Sequence, residues 1–518
     1  MNKKIYWLLF TFVILLGLFL NFYRLRATQN FFYDVARDME VVRQMIVEGK
    51  LTLLGPQTSF GLNSSLETYF GPLYYYLVAP ALLFSRLDPL GPAILTAFFS
   101  FLGAILFFLF LRKIVANRWL ALFGFFFYLI SPLTVEYSRF PWNPNFLPFF
   151  SVLILIFLNI FLISKKWFLI MILGFLSGCL FQLHYVAAGL ILALLISLFI
   201  FNPQKIFSRL FFWISGFILG ILPIIFFEIR HSFFLTKSMI KNLAVNNNNL
   251  WFSLARVWVY LQTFLARFFG LDNYSTVMME RSHSMTSLVL IFIFIGLLIF
   301  LWLDKKEEKE RKIILFLTLG LFFGLIFASF YGQFQKERIE DRYLLPLLPI
   351  LVIFIVLFTQ KITKKLASFN HLLRYIFLVF FFSFFIALSL SAFKKDWQIV
   401  NRKISIDFNN VNLQGAKQIA MAIANDVSQN NFQNKFNIAN IVDGNTRAIY
   451  YRYFLNVLGQ KPMNVEAYPE AKILYVISDK GDSETINYSV WEIESFRPKK
   501  ISQKWNTDYQ VKIYRIEN

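Results

Sequence analysis

Two aspartates, Asp34 and Asp38, stand one helical turn apart just after the first long apolar stretch of this chain ends. They belong to an aromatic-rich segment, NFFYDVARDMEVVRQMIVEGKLTLLGPQTSFGLNSSLETYFGPLYYY (30–76). Residues four apart on a helix share a face, and a carboxylate beside a bilayer is costly unless solvated or paired. Partial burial raises a carboxyl pKa, which suits a general base acting on a hydroxyl or an amine. Arg37 and Arg43 are near enough in sequence to hold one acid ionised. The competing reading is a solvated pair on an exposed helix.

Three further polar positions interrupt apolar sequence. His184, in FQLHYVAAG, falls at a turn between two apolar runs and reads either as a hydrogen-bonded structural histidine or as a contact to a phosphate or an acceptor. Asn143 and Asn145, in PWNPN, could bind sugar hydroxyls, although the flanking prolines also suit a plain turn. The four histidines are far apart and form no His-x-x-x-His or acid–histidine pattern, so no metal site is expected. No cofactor is required by these residues, and a divalent metal is left open.

Membrane-spanning helices must position these groups. Of 518 residues 57% are hydrophobic and 66 are Phe, the mean hydropathy is +0.57, and several runs reach the roughly 18–20 residues that cross a ~30 Å hydrocarbon core. The first run, Ile5 to Tyr23, follows Asn2-Lys3-Lys4 without a small-residue cleavage site, the pattern of a retained helix. The single cysteine, Cys179, rules out an intramolecular disulfide and a cysteine-based metal site. The net charge of +21 comes from basic residues scattered in short loops, without the groove-reading or stacking pattern of a nucleic-acid binder. Positive-inside topology and anionic lipid account for that charge, so the expected partners include membrane lipid and no nucleic acid.

About eleven spans are expected, near 5–23, 92–111, 119–136, 146–163, 167–182, 185–201, 210–228, 285–303, 313–330, 344–360 and 375–392. With the N-terminus in the cytoplasm, every short inside loop carries at least two Lys or Arg, whereas the outside segment 137–145 carries one. Residues 1–393 then form a transmembrane domain with a first outer loop over 24–91 and a second over 231–284. In the second loop, 251–270 suits a helix lying in the interface or one packed on the bundle. From about Lys394 the composition turns polar, and 394–518 reads as a small extracytoplasmic α/β domain. Its expected helices cover 413–429 and 446–459, and its strands 436–442, 471–478 and 509–516. The fold class expected is a polytopic α-helical membrane protein with a small C-terminal α/β domain.

Taken in order, several of these residues form a pattern. Asp34, then Arg43-Gln44-Met45 and Gly49, then Pro72-Leu73-Tyr74, and late in the bundle Arg342-Tyr343-Leu344-Leu345-Pro346-Leu347-Leu348-Pro349, follow one another at intervals. Over about residues 5–360 this resembles the polyprenyl-phosphate-dependent glycosyltransferases of the GT-C superfamily, such as protein O-mannosyltransferases and lipid A aminoarabinose transferases. Val35 stands where that family often has Glu, Gly71 replaces the first proline, and no Lys precedes it; Asp38 is the candidate to stand in for the missing Glu.

The resemblance implies a GT-C-like membrane fold and an enzyme that moves a sugar from a polyprenyl-phosphate carrier to a lipid, glycan or protein acceptor at the outer face. It makes Asp34 the general base, supported by Asp38, and implies inversion at the anomeric carbon. Cations near the leaving phosphate would stabilise its growing charge, with Arg342 first and Arg139, Arg338 and Lys336 next; each arginine reads equally as a snorkelling helix-end charge. Tyr74 enters as a substrate contact through the matched Pro-Leu-Tyr element. The bacterial cell membrane is the expected location, in keeping with a composition rich in Phe, Lys, Ile and Asn. A lipid-linked sugar flippase or transporter, and a polysaccharide polymerase or ligase, are the competing functions; charge-free span centres argue against the transporter.

Overall fold

A computed structural model describes residues 3–58, 67–201, 205–245, 254–271, 295–296, 299, 308–332, 339–369, 371–403, 405–407 and 410–518. Among the described residues six helices are long and apolar enough to cross a membrane: Lys3–Phe22, Leu90–Ile114, Asn143–Ser164, Glu308–Tyr331, Asp341–Phe369 and Tyr375–Val400. A seventh span forms if Ile206–Gly220 and Leu222–Arg230, bent by 71° at their junction, are taken together. The chain is therefore a multi-pass membrane protein. The expectation of eleven full spans differs from this count for local reasons. Apolar stretches expected at 119–136, 167–182 and 185–201 form the shorter helices Arg118–Leu129, Trp167–Leu183 and Tyr185–Phe201. The first of them ends at Leu129, and the chain resumes as a separate helix, Pro132–Tyr137, with Pro132 in its first turn. The stretch expected at 285–303 lies almost wholly outside the described residues.

Close helix contacts are made where side chains are smallest. Gly174 and Gly178 on Phe168–Leu183 face Gly216 and Gly220 on Ile206–Gly220; a Cβ at Gly216 would lie 1.9 Å from the Met171 carbonyl oxygen. Small residues four apart let two apolar backbones approach where lipid offers no hydrophobic drive to association. That contact anchors the end of the helix that leads into His184, because Gln182 there donates to Gly220 O and accepts from Leu73 N.

The helix Tyr33–Val47 buries Val35, Ala36, Met39, Val42 and Met45, an apolar face at helical spacing. It packs between Leu73–Phe84, which contains Pro80, and the helix Ile449–Val457 of the C-terminal region. The connection leading into it is held by that region too: Phe31 N donates to Val411 O at 2.7 Å, and Asn412 Nδ2 to Ala27 O at 2.6 Å. Leu254–Phe269 is a bundle-packed helix with Tyr260, Phe264, Leu265 and Phe268 buried, which settles the choice between interface and bundle. Its Arg267 bonds Asp341 Oδ2 at 2.6 Å and Glu136 Oε2 at 2.8 Å, tying it to the start of the Asp341–Phe369 helix.

In the C-terminal region Leu413–Gln429 is a helix, and strands Phe436–Asn440, Ile473–Ser478, Lys512–Glu517 and Lys500–Asn506 lie side by side in that spatial order. The first two strands are parallel and the other pairs antiparallel. Lys500–Asn506 was not expected; it is the exposed edge strand, so only a weak apolar alternation marks it in sequence.

Candidate functional site

The helix Tyr33–Val47 carries Asp34 in its first turn, where the helix dipole favours an anion. Arg37, one turn on, bridges two acids: its Nη1 lies 3.2 Å from Asp34 Oδ1, and its Nε and Nη2 donate to Asp38 Oδ1 at 3.0 and 2.9 Å. Asp34 is about one-third exposed, whereas Asp38 is fully buried and also accepts from the Tyr75 hydroxyl at 3.1 Å. The two acids therefore do not share a surface. A four-residue step turns a helix by ~40°, which is enough here to carry Asp38 onto the packed face. Burial pushes the Asp38 carboxyl up to about 7 against the pull of Arg37. Burial works against the Arg37 cation, but Asp38 and Asp34 overcome it and raise its pKa.

A cavity of ≈ 390 Å³ opens beside this helix end. Asp34 and Arg37 line one wall; Asn143, His184, Glu340 and Arg342 line the others. Arg342 is held by its neighbours: its guanidinium lies 4.5 Å from the centre of the Trp142 ring and 3.5 Å from Glu340 Oε2. His184 is buried at the break between two apolar helices, and its Nδ1 accepts from Val186 N at 3.2 Å. That bond puts the proton of the neutral ring on Nε2, and burial with Arg342 close by lowers its pKa. Phe70 packs on the ring at 4.7 Å and Tyr331 at 5.0 Å. Asn143 Nδ2 donates to Leu183 O at 2.6 Å, so this residue also fixes the turn that presents His184.

Other expected site residues are elsewhere. Arg139 is buried and donates to Leu20 O at 2.6 Å, to Tyr23 O at 2.7 Å and to Thr28 Oγ1. It caps carbonyls at the end of the first helix and does not line the cavity; a buried guanidinium is satisfied by such carbonyls as readily as by phosphate. Asn145 is buried with Nδ2 on Phe140 O at 2.7 Å, and Tyr74 is fully buried against Tyr75 and Phe146; neither lines the cavity. Lys336 and Arg338 lie outside the described residues. Arg37 lines the cavity in its own right, beyond the expected task of holding an acid ionised, and Glu340 and Trp142 were not anticipated. Their sequence signals were adjacency: Trp142 precedes Asn143, and Glu340 stands two residues before Arg342. Among the described residues no group of three or more His, Cys, Asp or Glu is placed to hold a metal ion.

The arrangement has two partly exposed carboxylates, Asp34 and Glu340, two guanidiniums and a neutral ring N–H around a space large enough for a sugar phosphate. Guanidiniums bind phosphate oxygens in a bidentate manner, and a carboxylate beside them can accept a proton.

No protein-family model matches the sequence, and no curated protein does. Among solved structures, ArnT from Cupriavidus metallidurans bound to undecaprenyl phosphate is similar at a TM-score of 0.60 and 12% identity, over 99% of this chain and 98% of that one. The same protein in its apo state gives a TM-score of 0.47 at 10% identity, over the same shares of the two chains. At this level of identity the likeness is one of fold. The expected architecture, a polytopic helical membrane protein with a small C-terminal α/β region, is the one the chain adopts, and it shares its fold with the ArnT structure.

Proposed function

We propose that the protein is a membrane glycosyltransferase that moves a sugar from a polyprenyl-phosphate carrier to an acceptor at the outer face of the bacterial cell membrane. The observation that supports it best is the meeting of Asp34, Arg37, His184 and Arg342 around one cavity. In that reading Asp34 takes the proton of an acceptor hydroxyl or amine as its oxygen or nitrogen attacks the anomeric carbon. The bond from that carbon to the phosphate oxygen breaks on the opposite side and inverts the centre. Its electron pair goes to the phosphate, which leaves as polyprenyl phosphate with one more negative charge.

Arg37 and Arg342 meet that added charge, which makes them worth more in the transition state than in the ground state. The neutral His184 donates from Nε2 to a phosphate or sugar oxygen, and Asn143 holds the turn that presents it. Asp38 keeps Arg37 in place from behind. Undecaprenyl phosphate, found on the ArnT structure of the same fold, is the carrier lipid we assign. The N-terminus is placed in the cytoplasm, with residues 394–518 outside, on the distribution of Lys and Arg. No step requires a metal or other cofactor.

The test is purified protein in lipid with radiolabelled polyprenyl-phosphate sugars and a membrane extract as acceptor. Wild type should transfer label, and Asp34→Asn, with an unchanged unfolding temperature, should lose transfer by about 10²- to 10⁴-fold. Equal transfer by the variant removes Asp34 as the base. Movement of labelled lipid across vesicles without a transfer product would make the protein a flippase.

A further inference from the structure

A second cavity, of ≈ 510 Å³, lies between the far end of the Tyr33–Val47 helix and the C-terminal region. Glu40, Gln44 and Glu48 line it on one side, and Arg452, Asn456 and Lys461 on the other. Ten of its 13 lining residues are polar, and no aromatic ring is among them. Pro462, Met463 and Val465 complete the lining. What it presents is a set of ordered planar polar groups. Arg43 is locked between Glu40, at 2.8 and 2.9 Å, and Glu48, at 2.9 Å, and Gln44 donates to Glu40 at 3.1 Å. Asn456 Oδ1 is buried with no partner among the described residues.

The two cavities share one helix face. Asp34, Arg37, Glu40, Gln44 and Glu48 follow at steps of three or four, so they form one polar stripe opposite the buried Val35, Met39 and Val42. From Asp34 to Gln44 the stripe runs ~15 Å at the rise of an α-helix. We infer that the second cavity is an acceptor subsite: an elongated, hydroxyl-rich glycan lies along this stripe, its reacting hydroxyl at Asp34 and its distal sugars between Gln44 and Asn456. This rests on the transferase reading above and adds to it the acceptor class and a task for the C-terminal region. Binding energy from the distal sugars holds the reacting hydroxyl in place at a distance from the chemistry.

The experiment blocks the second cavity from its rim. Lys461 and Asn464 are exposed on that rim, and the one native cysteine, Cys179, is buried, so wild type is the labelling control. Lys461→Cys and Asn464→Cys are each assayed bare and after coupling to fluorescein maleimide, with radiolabelled undecaprenyl-phosphate sugar as donor and a membrane extract as acceptor. Each coupled form should need at least 10-fold more extract for half-maximal transfer than its own bare variant, and bind the donor as before in a scintillation proximity assay. The transferred label should resist protease. Unchanged transfer by the coupled forms overturns the subsite and leaves the transferase reading standing. Loss of donor binding together with transfer, or label that protease releases, also overturns it. Wild type that binds donor and transfers to no extract overturns the transferase reading and the subsite with it.

Discussion

Removing the Tyr75 hydroxyl tests whether Asp38 sets the pH response of the site. Tyr75 and Arg37 both donate to Asp38 Oδ1, yet burial still pushes this carboxyl up to about 7, from an ordinary 3.8. As the folded value is the higher one, the folded protein takes up this proton when the pH falls through about 7, and the unfolded chain only near 3.8. Ionised Asp38 therefore costs the folded state about 4 kcal/mol at ~1.36 kcal/mol per unit. That cost is absent below the unfolded value, grows as the pH rises, and is complete above about 7. Protonation also frees Arg37 from its buried partner, so sugar transfer should fall as the pH drops through 7. Phe at position 75 removes a donor to the carboxylate worth ~1.5 kcal/mol, which raises the Asp38 pKa by ~1 unit. The acid limb of a transfer–pH profile, measured at saturating donor, should then move up by about that unit. An acid limb at the same pH in Tyr75→Phe and wild type refutes the assignment of this titration to Asp38.

Three other changes separate the roles of individual residues. Arg342→Lys keeps the charge but loses the planar fork stacked on Trp142, and transfer per unit donor should drop by about 10- to 100-fold in kcat/KM with the fold intact by circular dichroism. Arg139→Ala leaves buried carbonyls at the end of the first helix unpaired, at a cost of about 3 kcal/mol. It should lower the unfolding temperature and leave donor binding unchanged; weaker donor binding without loss of stability would return Arg139 to the site. Gly216→Val puts methyl groups where only 1.9 Å separates the built Cβ from the Met171 carbonyl oxygen, so the two helices must part, costing about 3 kcal/mol in a thermal unfolding assay.

Much of the site was legible because its residues carry recognisable chemistry at conspicuous places. An acid just past the first apolar run, a histidine at a turn between apolar runs and an arginine before Tyr-Leu-Leu-Pro all stand out against lipid-compatible surroundings, and Asp34, His184 and Arg342 do line one cavity. Arg139 stands out equally and lies elsewhere, because a guanidinium beside a helix end has backbone carbonyls to satisfy and sequence does not say which acceptor it reaches. Asp38 shows the same limit at finer scale: a turn of ~40° relative to Asp34 decides between solvent and core.

The sequence by itself determined the class of the molecule. Long apolar runs leave the backbone no choice but helices in a bilayer, and the switch to polar composition near Lys394 marks a region with its own sheet. The alternation of strand and helix patterns after that point placed most of its elements. What the tertiary structure decided was the pairing: Gly174 and Gly178 against Gly216 and Gly220, Arg37 between two acids, Arg342 over Trp142, and the C-terminal helix Ile449–Val457 against the helix of Asp34. These partners are far apart in the chain or fall on one side of a helix edge. Local periodicity carries no information about which distant surface a face will meet, and that meeting sets the burial on which each charge depends.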